Sequence, residues 1–419
     1  MRKPPARKRK PRPEMEVLEN ATFAISPLDL EYLHRTVGGH LERRHNGWAV
    51  TRLVGHLALP SGTVLRIRSS KATAASLLAW MAFVDPALAG LRWFQRVPSV
   101  AAEGDVAAYT AKLFFTELFD VLARHGVARR YRREPTLSPV VRGGIDFTAL
   151  SRMGGNLSRL PCRVWERLPD TPLNRLVVAA IEVVGRDPVL RPAFQQDLGR
   201  ARAAFLGIAP MVSPDALSGR VVPDRVESAF GTAYALARII VRGSHLGDGG
   251  ALGAPGFLVN LEALFEKTVV RAITACGLAA TPKARVPYWR VNERGIEAPA
   301  SMEADLLIHD PSLGQVVVDA KYKAPVSSGN LQQIVAYCLL LGAQCGVLVV
   351  PAGAVVDRRS YLFRSSELGE IRVHVVELRT AAASVQDWKA NAAALGTELR
   401  ERLGPNIKEG GVTRATLVG

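Results

Sequence analysis

The stretch from Met302 to Lys323, MEADLLIHDPSLGQVVVDAKYK, constrains the fold of this chain more than any other. LLIH is apolar and β-prone, DPSLG is a turn, and QVVVDAKYK opens on a β-branched run and closes on charge. The stretch therefore predicts two strands folded back on each other. With the hairpin centred near Ser312, Asp305 falls opposite Asp319, and residues opposite one another in an antiparallel pair point to the same face. Lys321, two residues beyond Asp319, shares that face. A VVV run reads as buried on both sides, which places the hairpin centrally in a sheet, and charge at the end of such a strand needs a partner or a metal. Two carboxylates and an ammonium meeting at one place form the layout of a metal-dependent phosphodiesterase. Carboxylate pairs hold Mg2+ beside phosphate, and a nearby lysine orients or deprotonates a water.

The chain is long enough, at 419 residues, for two or three domains, and its 48% hydrophobic content is that of a globular protein. A net charge of +16 suggests a polyanionic partner, most simply nucleic acid. Part of that charge is local. Residues Arg2 to Arg12 include seven Arg or Lys and no acid, in a Pro-rich setting that reads as a solvated, disordered tail and a nonspecific phosphate-binding arm. Cys162, Cys276, Cys338 and Cys345 show no CxxC spacing and no Cys/His cluster, so they read as core thiols of a reducing cytoplasm rather than zinc ligands. The N-terminus has no apolar signal core, and no apolar run reaches the roughly 18 to 20 residues that cross a bilayer, so no membrane is expected. No GxxxxGK[ST] occurs, so hydrolysis of a nucleoside triphosphate by the chain itself is not expected.

The expected organisation is a basic disordered tail over 1–20, an N-terminal α+β module over 21–160, a helical connecting region over 161–242, a Gly-rich linker over 243–256, and an α/β domain with a mixed central sheet over 257–419. In the first module a short helix spans Pro27 to Thr36. Strands at Trp48 to Leu59 and Thr63 to Ser69 flank a Pro60-Ser61-Gly62 turn, and helices cover Lys71 to Val84 and Asp105 to His125. The scattered His34, His40, His45 and His56 read as surface or core residues. The VARRYRREP cluster around Tyr131 leaves solvated surface and nucleic-acid contact both open. In the last domain Phe257 to Cys276 predicts a helix, with Leu261, Leu264, Phe265, Thr268 and Val269 buried and Glu262 and Glu266 on one flank. Asn330 to Leu341 predicts another, with Gln333 and Tyr337 one turn apart.

Asp305 followed by Asp319-Ala320-Lys321 resembles the PD-(D/E)xK nuclease superfamily. More specifically, LFEK at Leu264 to Lys267, DAKYK at Asp319 to Lys323 and QIVAY at Gln333 to Tyr337 resemble the McrC family, the nuclease subunit of McrBC-type 5-methylcytosine restriction systems. GVARRY (Gly126 to Tyr131), RGGID (Arg142 to Asp146) and DTPLN (Asp170 to Asn174) follow in that family's order, so the resemblance covers most of residues 45–380. The Pro that often precedes the first catalytic Asp is Ala304 here. The resemblance implies a restriction-endonuclease fold and a Mg2+-dependent endodeoxyribonuclease of anti-phage defence. It implies action on double-stranded DNA, with modified cytosine as a candidate trigger. It also implies a McrB-like AAA+ GTPase ring that translocates on DNA, binds the N-terminal region and is stimulated by it. On that reading Asp305 and Asp319 are the metal ligands, with a backbone carbonyl near Ala320, and Lys321 positions the water. Glu266 holds a second metal or an outer-shell water, against a plain solvated helix face. Gln333 orients Lys321 or the scissile phosphate, against a polar edge with core packing. The competing readings are a noncatalytic activator or adaptor of an AAA+ ring and a stand-alone DNA repair nuclease.

Overall fold

The computed structural model describes residues 13–69, 72–85, 88, 105–154, 158–244, 256–291, 297–310, 314–322, 326–353, 360–365 and 369–408. Most of the basic tail, nearly all of the Gly-rich linker, and Lys323 lie outside them. The tail ends sooner than its expected boundary at residue 20. EMEVL alternates in burial and forms β1 (Glu14–Leu18). It runs parallel to β6 (Val64–Arg68), with Glu14 against Val64 and Leu18 against Arg68.

The N-terminal module holds a small sheet of β2 (Thr22–Phe23), β3 (Leu41–Arg44) and β4 (Gly47–Val50), with α1 (Pro27–Val37) before β3. A larger sheet has the order β1-β6-β5-β10, in which β5 is Leu53–Ala58 and β10 is Gly256–Asn260. The last member corrects the sequence reading. Residues 256–260 were expected to begin the helix at Phe257, yet they form a strand antiparallel to β5, and the helix starts only at Leu261. Asn260 makes the change of direction by accepting from the Ala263 N–H at 3.0 Å, an N-cap. Gly55 permits the pairing. Its φ is +136°, and a Cβ there would stand 1.9 Å from the Phe257 carbonyl oxygen. Residues 256–260, at the far end of the expected linker, therefore belong to the first module's sheet.

The longer helices between are α2 (Ala74–Val84), α3 (Val106–His125), α4 (Pro172–Arg186), α5 (Gln195–Ala204) and α6 (Gly231–Ser244). Asp105 caps α3 by accepting from Ala107, and Thr171 caps α4 by accepting from Asn174. Between α3 and α4 lies a ribbon of β7 (Arg130–Ser138), β8 (Gly144–Ile145) and β9 (Leu160–Leu168), in the order β7-β9-β8. β9 crosses the expected boundary at 160/161, so the connecting region begins as a strand and not as a helix.

The C-terminal part contains α7 (Leu261–Ala275), β11 (Ala280–Val291), β12 (Glu297–Asp310), β13 (Gly314–Ala320), α8 (Ser328–Leu341), β14 (Cys345–Pro351), β15 (Ser360–Ser365), β16 (Gly369–Leu378) and α9 (Val385–Lys408). Its sheet has the order β11-β12-β13-β14-β16-β15. β11, β12 and β13 pair antiparallel, β13, β14 and β16 pair parallel, and β15 is antiparallel, a mixed sheet. β13 is central, and Val316, Val317 and Val318 are fully buried because both faces are covered. Val316 and Val318 join the large core, and Val317 packs with Ile334 and Tyr337 of α8. The large core is continuous from Val54 to Leu403. At its centre Trp80 of α2 stacks on Trp388 of α9 at 5.0 Å between ring centroids and donates to the Thr268 hydroxyl of α7 at 2.5 Å. Among the described residues no helix is long and apolar enough to cross a membrane.

Candidate functional site

The register Leu306↔Val318 continues to set Asp305 across from Asp319, at the end of β13 where the charged residues begin. Asp319 is buried, 1% exposed, and Lys321 Nζ lies 3.0 Å from its Oδ2. That oxygen receives no hydrogen bond of good geometry, so the ion pair is its only close polar company among the described residues. Burial pushes the Asp319 carboxyl up to about 6; Lys321 pulls it down less than burial and the nearby Asp305 and Glu266 charges raise it. For Lys321, burial works to lower the pKa, but the Asp319 charge outweighs it and holds the ammonium above its ordinary value. The pair is lopsided because Lys321 reaches partly into solvent and Asp319 does not.

Asp305 is anchored differently. Its Oδ2 accepts the Ala320 backbone N–H at 2.9 Å, which ties β12 to the end of β13. Its Oδ1 faces Lys283 Nζ at 3.6 Å. Lys283 also lies 3.4 Å from Glu266 Oε2 on α7 and 3.4 Å from Glu303 Oε1 on β12. Glu266 thus joins the cluster through an ammonium. Burial, then Asp305, raises its pKa. The hydrogen bond of Gln333 goes to Tyr337 and not to Lys321. Its Nε2 donates to the Tyr337 hydroxyl at 2.8 Å, and that hydroxyl donates to the Glu303 carbonyl at 3.0 Å, steadying the strand that bears Asp305.

Sequence reasoning missed Lys283 and Glu303. Glu303 carried a usable signal, since it stands two residues before Asp305 on the same strand face. Lys283 becomes visible only with the β11–β12 register, which puts it across from Asp305 between the pairs Pro282↔Leu306 and Ala284↔Ala304. No group of three or more His, Cys, Asp or Glu side chains is set closely enough to hold a metal among the described residues. At this cluster the ammonium of Lys283 stands among the carboxylates.

A model of the family described as McrBC 5-methylcytosine restriction system component matches residues 49–351, well over half of the chain. The chain belongs to that family. It is a McrC-type member, without the phosphate loop that an AAA+ component carries. The structure of this McrC-type chain aligns with a chain from the half-complex of the tetradecameric assembly of Thermococcus gammatolerans McrB AAA+ hexamers with bound McrC. The TM-score is 0.57 at 16% identity, over 92% of this chain and 100% of that one, a likeness of fold. A chain of the Thermococcus gammatolerans McrBC complex aligns over 63% of this chain and 88% of its own length, at 18% identity and TM-score 0.41. No curated protein matches.

The motifs upstream in this McrC-type chain do structural work. Asn174 of DTPLN is fully buried and donates to the Ala128 and Pro169 carbonyls at 2.8 and 2.7 Å. Asp146 of RGGID pairs with Arg163 at 2.7 Å. The basic cluster around Tyr131 is strand β7, and both faces of its ribbon are largely open. One face gathers Tyr131 across from Arg167 and Arg133 across from Trp165, all exposed.

Proposed function

We propose that this chain is the DNA-cutting subunit of a McrBC-type restriction system: a Mg2+-dependent endodeoxyribonuclease with a PD-(D/E)xK-type core. It works with, and stimulates, an AAA+ GTPase ring that moves on double-stranded DNA. Asp319 carries this reading. A carboxylate buried at the end of a central strand, with the Lys321 ammonium as the only close partner of its Oδ2 among the described residues and its pKa driven up to about 6, is an expensive arrangement for packing alone. It suits a cation. Mg2+ is commonly held by one or two carboxylates and keeps several waters, so Asp319 beside Asp305, all-oxygen donors, fits it without a third acid.

Asp319 and Asp305 would hold the ion, which when bound offsets charge on the phosphate oxygens during displacement. Lys321 keeps an ammonium beside Asp319, where it orients the attacking water and balances charge. Ala320 fixes Asp305 through its N–H. Gln333 acts at one remove, through Tyr337 and the Glu303 carbonyl, and holds β12 in register. The aromatic-and-arginine face of the β7–β9 ribbon supports the partner half of the reading, because exposed Tyr, Trp and Arg are the residues that anchor interfaces.

The test is cleavage of methylated and unmethylated plasmid with Mg2+ and the AAA+ partner. Asp319→Ala is expected to abolish cutting while the chain still folds and still copurifies with the ring. Wild-type cutting by that variant would end the assignment. Intact stimulation of the partner GTPase with no cutting by the wild-type chain would favour the noncatalytic activator.

A further inference from the structure

We propose that Lys283 is a built-in competitor for the divalent cation: its ammonium pairs with Glu266, Glu303 and Asp305 in the metal-free protein and swings aside when the ion enters. This rests on the nuclease reading above. Three carboxylates from α7 and β12 lie 3.4, 3.4 and 3.6 Å from one Nζ. An ion pair this exposed, with the Lys283 side chain 55% accessible, contributes little stability, so stability does not account for the convergence.

The backbone adds a second observation. Lys283 has φ +54°, a left-handed conformation that costs an L-residue roughly 1–2 kcal/mol and falls to Gly or Asn by preference. Its neighbours Pro282 and Ala284 keep the strand register with Leu306 and Ala304, so β11 continues on both sides of the strained residue. What the conformation accompanies is an ammonium held across from Asp305. The charge leaves room for a cation. Glu266, Glu303, Asp305 and Asp319 against Lys283 and Lys321 make four carboxylates and two ammonium groups, a formal −2 that becomes −3 when Lys283 moves away, so the cluster attracts a divalent ion in either arrangement. Without Lys283 the deficit is larger and the ion meets no rival.

The experiment is calorimetric titration of the full-length chain with Mg2+ alone, no DNA and no ring. Lys283→Gly removes the ammonium and adopts the same φ freely; Lys283→Arg keeps the charge. Lys283→Gly is expected to bind Mg2+ about tenfold tighter than wild type, and Lys283→Arg to stay within about twofold of it. Unchanged or weaker binding by Lys283→Gly overturns the competitor role. Asp319→Asn separates the two ideas. If it binds Mg2+ like wild type, the nuclease reading itself fails. If it loses the ion while Lys283→Gly leaves affinity unchanged, only the role of Lys283 fails.

Discussion

Replacing Asp319 by Asn should stabilise the metal-free protein at alkaline pH. The carboxyl rises from its ordinary 3.8 to about 6 on folding, chiefly through burial. At about 1.36 kcal/mol per pKa unit, keeping it ionised costs the fold about 3 kcal/mol. The sign follows from the direction of the shift. Below about pH 4 the group is protonated both folded and unfolded, and nothing is lost. Between about pH 4 and 6 the folded state keeps a proton that the unfolded chain has already given up, so stability falls across that window and stays at the lower level above it. Asn keeps the shape without the charge. It also leaves Lys321 without its partner, so the expected net gain is about 1–3 kcal/mol at pH 8, shrinking to nothing near pH 4. The assay is urea unfolding across pH 4 to 8 without metal, repeated with excess Mg2+. At a hundredfold over its Kd the ion should add about 2.7 kcal/mol to wild type and nothing to Asp319→Asn. A variant less stable than wild type at pH 8 without metal would refute the reasoning, since Asp319 would then be an ordinary structural ion-pair partner.

Other outcomes follow from the same structure. His56 is buried, with Nδ1 2.9 Å from Asp105 and Nε2 2.8 Å from Asp187; burial works to lower its pKa, but the two carboxylates raise it to about 9. Its contribution is full below pH 6.5 and should be lost as pH rises through about 9, a slope in pH-dependent unfolding that His56→Ala lacks, along with about 3–5 kcal/mol. Gly55→Ala should break the β5–β10 pairing and sharply lower the melting temperature, while Gly199→Ala, with nothing within 4 Å of its Cβ, should be neutral or stabilising. Tyr131→Ala and Trp165→Ala, both on exposed side chains, should leave unfolding free energy within about 0.5 kcal/mol of wild type yet weaken copurification with the AAA+ partner.

The hairpin was legible because its period-2 pattern, turn residues and closing charges all point the same way, and one register then follows from the turn. Glu266 was legible because LFEK lies on a helix with a clear buried side. The strand at Gly256–Asn260 was not, since FLVN runs without a break into LEALF and a continuous apolar run does not tell strand from helix. β1 was hidden by its closeness to the basic run. The β7–β9 ribbon gave no sign because its partners lie some thirty residues apart and both of its faces are open, so no apolar alternation marks it. Lys283 needed a cross-strand neighbour, which is long-range information that no local pattern carries.

Helix α7 has a mechanical consequence. Its first residue, Leu261, donates to the Arg52 carbonyl at 2.8 Å, and Glu262 holds the Arg52 side chain at 2.8 Å. One turn on, about 6 Å along the axis, Glu266 meets the carboxylate cluster, and half a turn further Thr268 receives Trp80. The helix is a strut clamped at the N-terminal sheet and braced by the core, with no joint between clamp and cluster. A displacement of Arg52, just before β5, is therefore passed to Glu266 along one continuous helical turn, so the N-terminal sheet and the carboxylate cluster move as neighbours on one strut.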